Sequence, residues 1–182
     1  NLTGQPLPDN RLGILSRLTD EKLITKESDD TYSITNLGAI LFAKNIEDFD
    51  GLERKAVRVI VYRGTNRIAT IREQVGRRGY ASGFEGLIGF INNLLPQNEV
   101  IGQALRKEVL MYPEIAIREL VANAVIHQDF TLTGTGPMVE IFSDRIEITN
   151  PGTPLIDTQR FLDAPPQSRN EALAAFMRRV NI

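Results

Sequence analysis

The chain lacks cysteine and tryptophan, and His127 is the only histidine among its 182 residues. Without cysteine it forms no disulfide and holds neither a cysteine-ligated zinc ion nor an iron–sulfur cluster. A single histidine also excludes a metal site built from several imidazoles. The lack of cysteine fits a reducing compartment, so we expect a cytoplasmic protein.

Long hydrophobic runs are missing as well. No apolar segment has the length of a membrane-spanning helix, and the first residues do not resemble a signal peptide. The net charge of −2 argues against a whole-surface nucleic-acid binder but permits a local basic patch. No P-loop motif occurs. Because the sequence begins at Asn1 rather than at methionine, we expect a fragment of a longer protein.

The hydrophobic pattern predicts helices and strands that together form a mixed α+β fold. We expect two units, 1–105 and 106–182, although no linker-like segment marks the division near residue 105. The elements predicted in the first unit are helix 9–18, hairpin 22–34, a short helix capped by Thr35, an acidic loop at 45–53, strand 55–62, a polar stretch at 63–82 and an amphipathic helix at 84–95. Those predicted in the second unit are helix 113–129, strands 138–142 and 145–149, and helical segments at 157–163 and 169–180.

Helix 113–129 carries two adjacent stripes. At 100° per residue, Glu119, Asn123 and His127 fall at about 0°, 40° and 80°. The neighbouring stripe is apolar and is predicted to face the core; it contains Ile117, Leu120, Val121 and Ala124. A helix with this pattern can pack on a sheet and line a pocket at the same time.

The polar stripe has two interpretations. Glu119 and Asn123, one turn apart, can hold a hydrated Mg²⁺ through oxygen atoms, and the carboxylate can also orient or deprotonate a water. The alternative is an ordinary helix edge that faces solvent. For His127, a structural hydrogen bond is the alternative to a ligand contact.

Two segments have basic residues that suggest nucleic-acid binding. The helix–hairpin–helix order over 9–44 resembles part of a winged helix, with Lys22 and Lys26 near a phosphate backbone, although acidic residues in the same hairpin would repel DNA. Dimerisation or packing is the alternative. The second segment, 67–78, is predicted to be a mobile loop that binds nucleic acid or is simply solvated; its basic residues are Arg67, Arg72, Arg77 and Arg78.

A family resemblance rests on four segments of this sequence. They are YPEIAIRELVANAVIHQDF at 112–130, VEIFSDRIEITNPGTP at 139–154, SRNEALAAFM at 168–177 and ITNLGAILFAKN at 34–45. Together they resemble the RecG-related, Schlafen AlbA-type transcriptional regulators, a group also described as related to ATP-dependent DNA helicases. The ATPase-like part of these proteins belongs to the gyrase, heat-shock chaperone, histidine kinase and MutL (GHKL) superfamily. The resemblance implies a partial GHKL-type α/β sandwich in which helix 113–129 packs on a sheet that includes hairpin 138–149.

The resemblance also implies roles for individual residues, with ATP and Mg²⁺ as cofactors of the longer parent protein. Glu119 matches the carboxylate that activates water in the hydrolysing members, and Asn123 matches the Mg²⁺-binding asparagine. Asn150 stands where the superfamily has the aspartate that binds the adenine amine, and Gly152 matches the glycine that follows. His127, on the same stripe, is a further candidate for nucleotide contact. Asparagine for aspartate at 150 keeps an acceptor but loses the charge, and Pro154 replaces a second glycine.

A phosphate lid needs glycine-rich backbone, and no glycine follows Gly152. We therefore expect half an adenine site, no tight ATP binding by this chain alone, and at most weak ATPase activity in the parent. Three hypotheses follow. The first is a fragment of a regulator that couples nucleotide state to DNA binding. The second is a degenerate ATPase-fold scaffold used for homodimerisation or packing. The third is direct DNA binding through 9–44 or 67–78. None of them involves a membrane.

Overall fold

A computed structural model describes residues 8–101, 106–160, 163, 165 and 167–182. Within these ranges the chain forms five α-helices and eight strands. The helices are α1 (Arg11–Asp20), α2 (Asn36–Phe42), α3 (Tyr80–Asn92), α4 (Glu114–His127) and α5 (Glu171–Arg179). The strands are β1 (Ile24–Lys26), β2 (Tyr32–Ile34), β3 (Val57–Tyr62), β4 (Thr70–Gly76), β5 (Gln97–Ile101), β6 (Arg106–Leu110), β7 (Met138–Ile141) and β8 (Ile146–Thr149).

The central feature is a four-stranded mixed sheet with the order β4-β3-β7-β8. Strand β3 pairs antiparallel with β4 and parallel with β7, and β7 pairs antiparallel with β8. Two separate hairpins, β1-β2 and β5-β6, lie outside this sheet. The predicted α+β class is confirmed, as is a helix over 113–129 that packs beside a sheet containing the 138–149 hairpin.

The two faces of the sheet differ in what covers them. Alternation along β3 sends Val57 and Val59 into the main core, where they meet the apolar faces of α3 and α4. Ile60 and Tyr62 point to the opposite face and form a small cluster with Phe142. The division of side chains between the two faces places α4 against the sheet, so that one edge of the helix borders β8.

Local hydrogen bonds explain why the first elements begin where they do. The Asn10 side chain accepts a hydrogen bond from the Gly13 amide and caps α1. The Thr35 hydroxyl accepts one from the Gly38 amide and caps α2 in the same way. Between these helices, β1 and β2 form the predicted hairpin. The helix–hairpin–helix order over 9–44 is therefore confirmed.

The prediction of a mobile loop over 67–78 is wrong for residues 70–76, which form strand β4. Most side chains of β4 are exposed on both faces, so the strand has no apolar alternation that would reveal it. Backbone pairing with β3 holds it in the sheet. The helix predicted at 84–95 begins earlier, at Tyr80, whose side chain is buried.

Three further predictions have different outcomes. Residues 169–180 contain helix α5, as predicted. In the segment 157–163 only a short 3-10 turn at Thr158–Arg160 is observed, while residues 161 and 162 lie outside the described residues. The division near residue 105 also falls on an undescribed residue and stays a prediction. Strands from both sides of it, β3 and β7, pair directly in one sheet.

In the described part of the chain, no helix combines the length and the apolar character needed to cross a membrane.

Candidate functional site

A cavity of about 670 Å³ lies between α4, strand β8 and the two segments that follow β8 and precede α5. Its volume is within the range of small-molecule sites in proteins. The walls combine apolar and polar side chains; the lining residues are Leu120, Asn123, Ala124, His127, Ile148, Asn150, Gly152, Thr153, Pro154, Leu155, Ile156, Gln167 and Arg169. Four of the five residues predicted for catalysis, cofactor or metal, namely Asn123, His127, Asn150 and Gly152, therefore line one cavity.

Helix α4 contributes one edge to this cavity. Ile117, Val121 and Ala124 are buried, as the apolar stripe predicts, with Ala124 also lining the cavity wall. Leu120 departs from the prediction, since it is 50% exposed and lines the cavity instead of filling the core. The core side of the helix is thus narrower than the hydrophobic pattern suggests. The difference arises because nothing in the described chain packs over the edge beside β8.

Glu119 is the predicted residue that does not line the cavity. Its side chain is exposed on α4, one turn before Asn123, beside the ion-paired Arg118. The described residues contain no group of three or more aspartate, glutamate or histidine side chains that could enclose a metal ion. Asn123 is the cavity side chain that the resemblance assigns to Mg²⁺, and a single carboxamide suits only a cation that keeps most of its ligands from water or phosphate.

The surroundings of His127 favour its neutral form. Partial burial lowers the pKa of its imidazole below the ordinary 6.5, and the positive charge of Arg169 lowers it further. A neutral imidazole has one donor and one acceptor nitrogen, so it can hydrogen-bond to an uncharged heterocycle in the cavity. The structure therefore places the His127 side chain in the cavity wall.

Asn150 and Gly152 follow β8 in a turn that is fastened to the end of α4. The Asp129 amide donates a hydrogen bond of 2.8 Å to the Pro151 carbonyl. Gly152 has φ of +118°, a conformation that residues with a Cβ rarely adopt. Within the described chain, neither the Asn123 nor the Asn150 side chain forms a hydrogen bond with another residue, so two carboxamides at the cavity are available to a ligand.

Residue-by-residue reasoning missed Arg169, which lines the cavity, and Asn170, which supports the adjoining end of α4. Arg169 Nη2 donates to the Thr153 carbonyl at 2.9 Å, and its Nε lies 3.8 Å from an Asp129 carboxylate oxygen. Asn170 Nδ2 donates to the carbonyls of Ile126 and Gln128, each at 2.7 Å. These bonds satisfy carbonyls at the C-terminal end of α4, where no helical partner exists. The family resemblance included the Ser-Arg-Asn segment at 168–170, but it gave these residues no role.

The arginines predicted to bind nucleic acid lie elsewhere. Arg72, Arg77 and Arg78 line a second cavity of about 580 Å³ beside β4 and α3, at the sheet edge opposite β8. Arg67 is separate from them, because its guanidinium binds the buried Glu140 carboxylate on the outer face of the sheet. Nucleic-acid binding by these residues or by segment 9–44 stays a prediction.

Comparison with known proteins gives one family match. Residues 134–182 match the family described as "Putative ATP-dependent DNA helicase recG C-terminal". This match supports a RecG-related, ATPase-like family. The matched segment supplies Asn150, Gly152 and Arg169, whereas α4 with Glu119 and Asn123 precedes it. Among curated proteins, none matches the chain.

A similar solved structure is the crystal structure of the DIP2311 protein from Corynebacterium diphtheriae. The TM-score is 0.67 at 20% sequence identity, and the match covers 90% of this chain and 32% of that one. The chain thus spans about a third of the length of its structural neighbour. At this identity the likeness establishes a shared fold.

Proposed function

We propose that the cavity beside α4 is a nucleotide half-site that binds the nucleoside part of ATP, in a regulator whose longer form couples nucleotide state to DNA. The observation that carries this proposal is the convergence of Asn123, His127, Asn150 and Gly152 on one cavity. The family match adds support, because its description names an ATP-dependent DNA helicase.

The chemistry of the lining favours a base and a sugar over free phosphate. Leu120, Ala124 and Ile148 provide an apolar wall against which a planar base can pack. The Asn150 carboxamide can accept a hydrogen bond from an exocyclic amine, and His127 is neutral. Arg169 is the one cation in the lining, and the Asp129 carboxylate 3.8 Å away already offsets part of its charge.

A buried polar atom beside the cavity also fits a polar ligand. Ser168, between the lining residues Gln167 and Arg169, has a buried hydroxyl oxygen without a partner in the described structure. Such an atom carries a free-energy cost that a ligand or an ordered water can relieve.

The residues at the cavity support nucleotide binding better than ATP hydrolysis. A bound Mg²⁺ would supply charge neutralisation for phosphates, and Asn123 is the side chain that would hold it at the cavity. Glu119 lies exposed one turn away, outside the lining. Excluding water from the phosphates requires a cover over the site, which the described residues of this chain do not form. We therefore propose binding with at most weak ATPase activity.

Calorimetric titration of adenosine and of Mg-ATP into the 182-residue chain tests the proposal. We expect weak binding of both ligands, with similar affinities because the nucleoside part provides most contacts. Asn150→Ala should weaken adenosine binding about fivefold to tenfold, since it removes one hydrogen bond to the base. Asn150→Asp should retain binding because the acceptor is kept.

Asn93→Ala is the matched control, because Asn93 is an exposed asparagine at the end of α3, away from the cavity. Asn123→Ala should reduce the effect of Mg²⁺ on ATP affinity while adenosine affinity stays unchanged. If neither adenosine nor Mg-ATP binds, the nucleotide proposal fails. The fold would then be a scaffold, and a dimer seen by light scattering would support that role.

A further inference from the structure

The groove between strand β4 and helix α3 is independent of the nucleotide site. It has a volume of about 580 Å³ and lies at the β4 edge of the sheet, whereas the nucleotide cavity borders β8 at the other edge. No lining residue is shared between the two cavities. The proposal below therefore does not depend on nucleotide binding.

The groove exists because α3 leaves the inner side of β4 uncovered. Arg72 and Gln74 pair directly with Val61 and Val59 of β3, so their side chains share the helix-facing side of the sheet. Both are exposed, although Val59 beside them is buried. On the helix side the groove is bordered by Gly83 and Gly86, which add no side chain to fill it.

The groove has an apolar floor and a basic rim. Phe84 is buried at its base, and Leu87 and Phe90 are half-buried beside it. Three arginines contribute to the lining, and no aspartate or glutamate does. The Arg72 guanidinium lies 5.0 Å from the centroid of the Phe90 ring, which leaves its N–H groups free to bind a carboxylate.

These arginines differ from others on the same sheet. Arg58, Arg67 and Arg145 each bind a carboxylate through hydrogen bonds of 3.0 Å or less. Arg72 and Arg78 have no ion pair in the described part of the chain. Arg77 binds Glu47 through Nε at 2.7 Å and is otherwise exposed. The rim therefore has unpaired positive charge directed to an apolar groove.

The edge of β4 points to a polypeptide as the occupant. Strand β4 is the first strand of the sheet order, and no other described strand pairs with its outer side. Such an edge offers backbone donors and acceptors to an added strand. Ile71 and Ile68 are 60% and 88% exposed and lie outside the groove lining. A small molecule in the groove would leave both uncovered, whereas an added strand would cover Ile71.

We propose that β4 and the groove bind an extended acidic polypeptide segment, which adds a strand to the sheet. Alternate side chains of that segment would face the groove, where carboxylates meet Arg72 and Arg78 and apolar residues meet the Phe84 floor. A second copy of the chain fits poorly, because antiparallel pairing of two β4 edges would bring their arginines together. Duplex DNA would use the charge but neither the strand edge nor the apolar floor.

Fluorescence anisotropy with the 182-residue chain tests this proposal. The probe is a short labelled peptide of Glu-Thr-Leu-Thr repeats, so that glutamates and leucines lie on the same face of the added strand, and a Lys-Thr-Leu-Thr peptide is its control. We expect binding of the acidic peptide only, weakened about tenfold by the double substitution Arg72→Gln and Arg78→Gln. Two further versions of the acidic peptide test strand pairing: one is N-methylated on the odd-numbered amides and the other on the even-numbered amides. Only one of these sets of amides faces β4, so one peptide should lose about tenfold in affinity while the other binds normally.

A pair of glycines on α3 provides a matched steric control. A Cβ at Gly86 or at Gly89 meets no atom within 4 Å, so both positions accept a side chain, but only Gly86 lines the groove. Glutamine also favours helix more than glycine does, so both variants should fold. Gly86→Gln should block the peptide at least fivefold, and Gly89→Gln should leave it unchanged.

Three outcomes would overturn the proposal. The first is equal binding of the lysine and glutamate peptides. The second is an unchanged affinity for both N-methylated peptides, which would reduce the interaction to charge alone. The third is tighter binding of a short DNA duplex than of the acidic peptide, lost on the double arginine substitution, which would make this surface a nucleic-acid site.

Discussion

The guanidinium of Arg169 occupies the space in which a side chain on Gly152 would begin. A Cβ at Gly152 would lie 2.7 Å from Arg169 Nη1 and 2.9 Å from the Asp129 Cβ. Three segments therefore meet at one glycine: the end of α4, the turn after β8 and the start of α5. This contact fixes the wall of the proposed nucleotide cavity opposite the α4 stripe.

The first prediction concerns this glycine. Gly152→Ala should lower the free energy of unfolding by about 2–3 kcal/mol, because it combines a positive φ with a steric conflict against Asp129. Gly134→Ala is the control, since Gly134 also has a positive φ, +73°, but open space around it. We expect about 1 kcal/mol there. Urea denaturation measures both values, and equal losses would show that the Arg169 and Asp129 contacts do not matter.

The second prediction concerns His127 and pH. The pKa of His127 is lowered in the folded state, whereas in the unfolded chain it has its ordinary value of 6.5. The unfolded chain therefore binds a proton more readily than the folded chain does. The stability of the protein relative to His127→Gln should therefore be full above pH 6.5 and fall as the pH drops below it. As the sole histidine, it gives one NMR titration with a midpoint below 6.5. Arg169→Gln should raise that midpoint, and a midpoint at or above 6.5 would contradict the assignment.

The third prediction concerns the buried carboxylate of Glu140, which is 2% exposed. It accepts hydrogen bonds from Arg67 at 2.7 Å and 2.9 Å and from the Tyr62 hydroxyl at 3.1 Å. Glu140→Gln should cost about 1.5–3 kcal/mol of stability at pH 7. Glu147→Gln, which affects a more exposed carboxylate on the same arginine, should cost about 0–1 kcal/mol.

The Glu140 effect should also depend on pH. The Arg67 hydrogen bonds hold the pKa of Glu140 below its ordinary 4.5. The stabilisation is present above that value and is lost as the pH falls through the folded-state pKa. Denaturation curves of wild type and Glu140→Gln should therefore converge in acid. If the two proteins still differ in stability in acid, the cost of Glu140→Gln comes from side-chain packing and not from the loss of the carboxylate charge.

The fourth prediction concerns Lys55, whose side chain is 2% exposed. Its ammonium donates hydrogen bonds to the carbonyls of Asp129, Leu132 and Thr135 at 3.4, 2.6 and 3.3 Å. Lys55→Met should cost about 2–3 kcal/mol, because it leaves these carbonyls without their donor. It should also speed amide exchange in residues 131–136. Lys44→Met, at an exposed position, is the control and should change neither measurement.

Part of this structure could be predicted because local pattern determines it. The spacing of apolar residues in α4 and β3, the proline before α4 and the cap at Thr35 each act within a few residues. The stripe of Asn123 and His127 follows from helix geometry alone. Asn150 and Gly152 were assigned to the same site by family resemblance, and the fold brings them to the same cavity as that stripe.

Other features depended on distant contacts. Strand β4 is polar on both faces, and only its pairing with β3 makes it a strand. Leu120 belongs to the apolar stripe, but it lines a cavity because none of the described residues packs over the helix edge beside β8. The Arg67–Glu140 bond joins residues 73 positions apart, which no sequence period relates.

The sequence by itself determined the α+β class and most helices and strands, because these depend on side-chain periodicity and on turn and cap chemistry. Helix periodicity placed Asn123 and His127 on one stripe, and family resemblance added Asn150 and Gly152 to the candidate site. Only the tertiary structure decided that Arg169 completes that site and Glu119 stays outside it. It also decided that the arginines at 72, 77 and 78 border a separate groove. Each of these outcomes depends on how segments far apart in the chain pack, and packing of that kind leaves no local pattern.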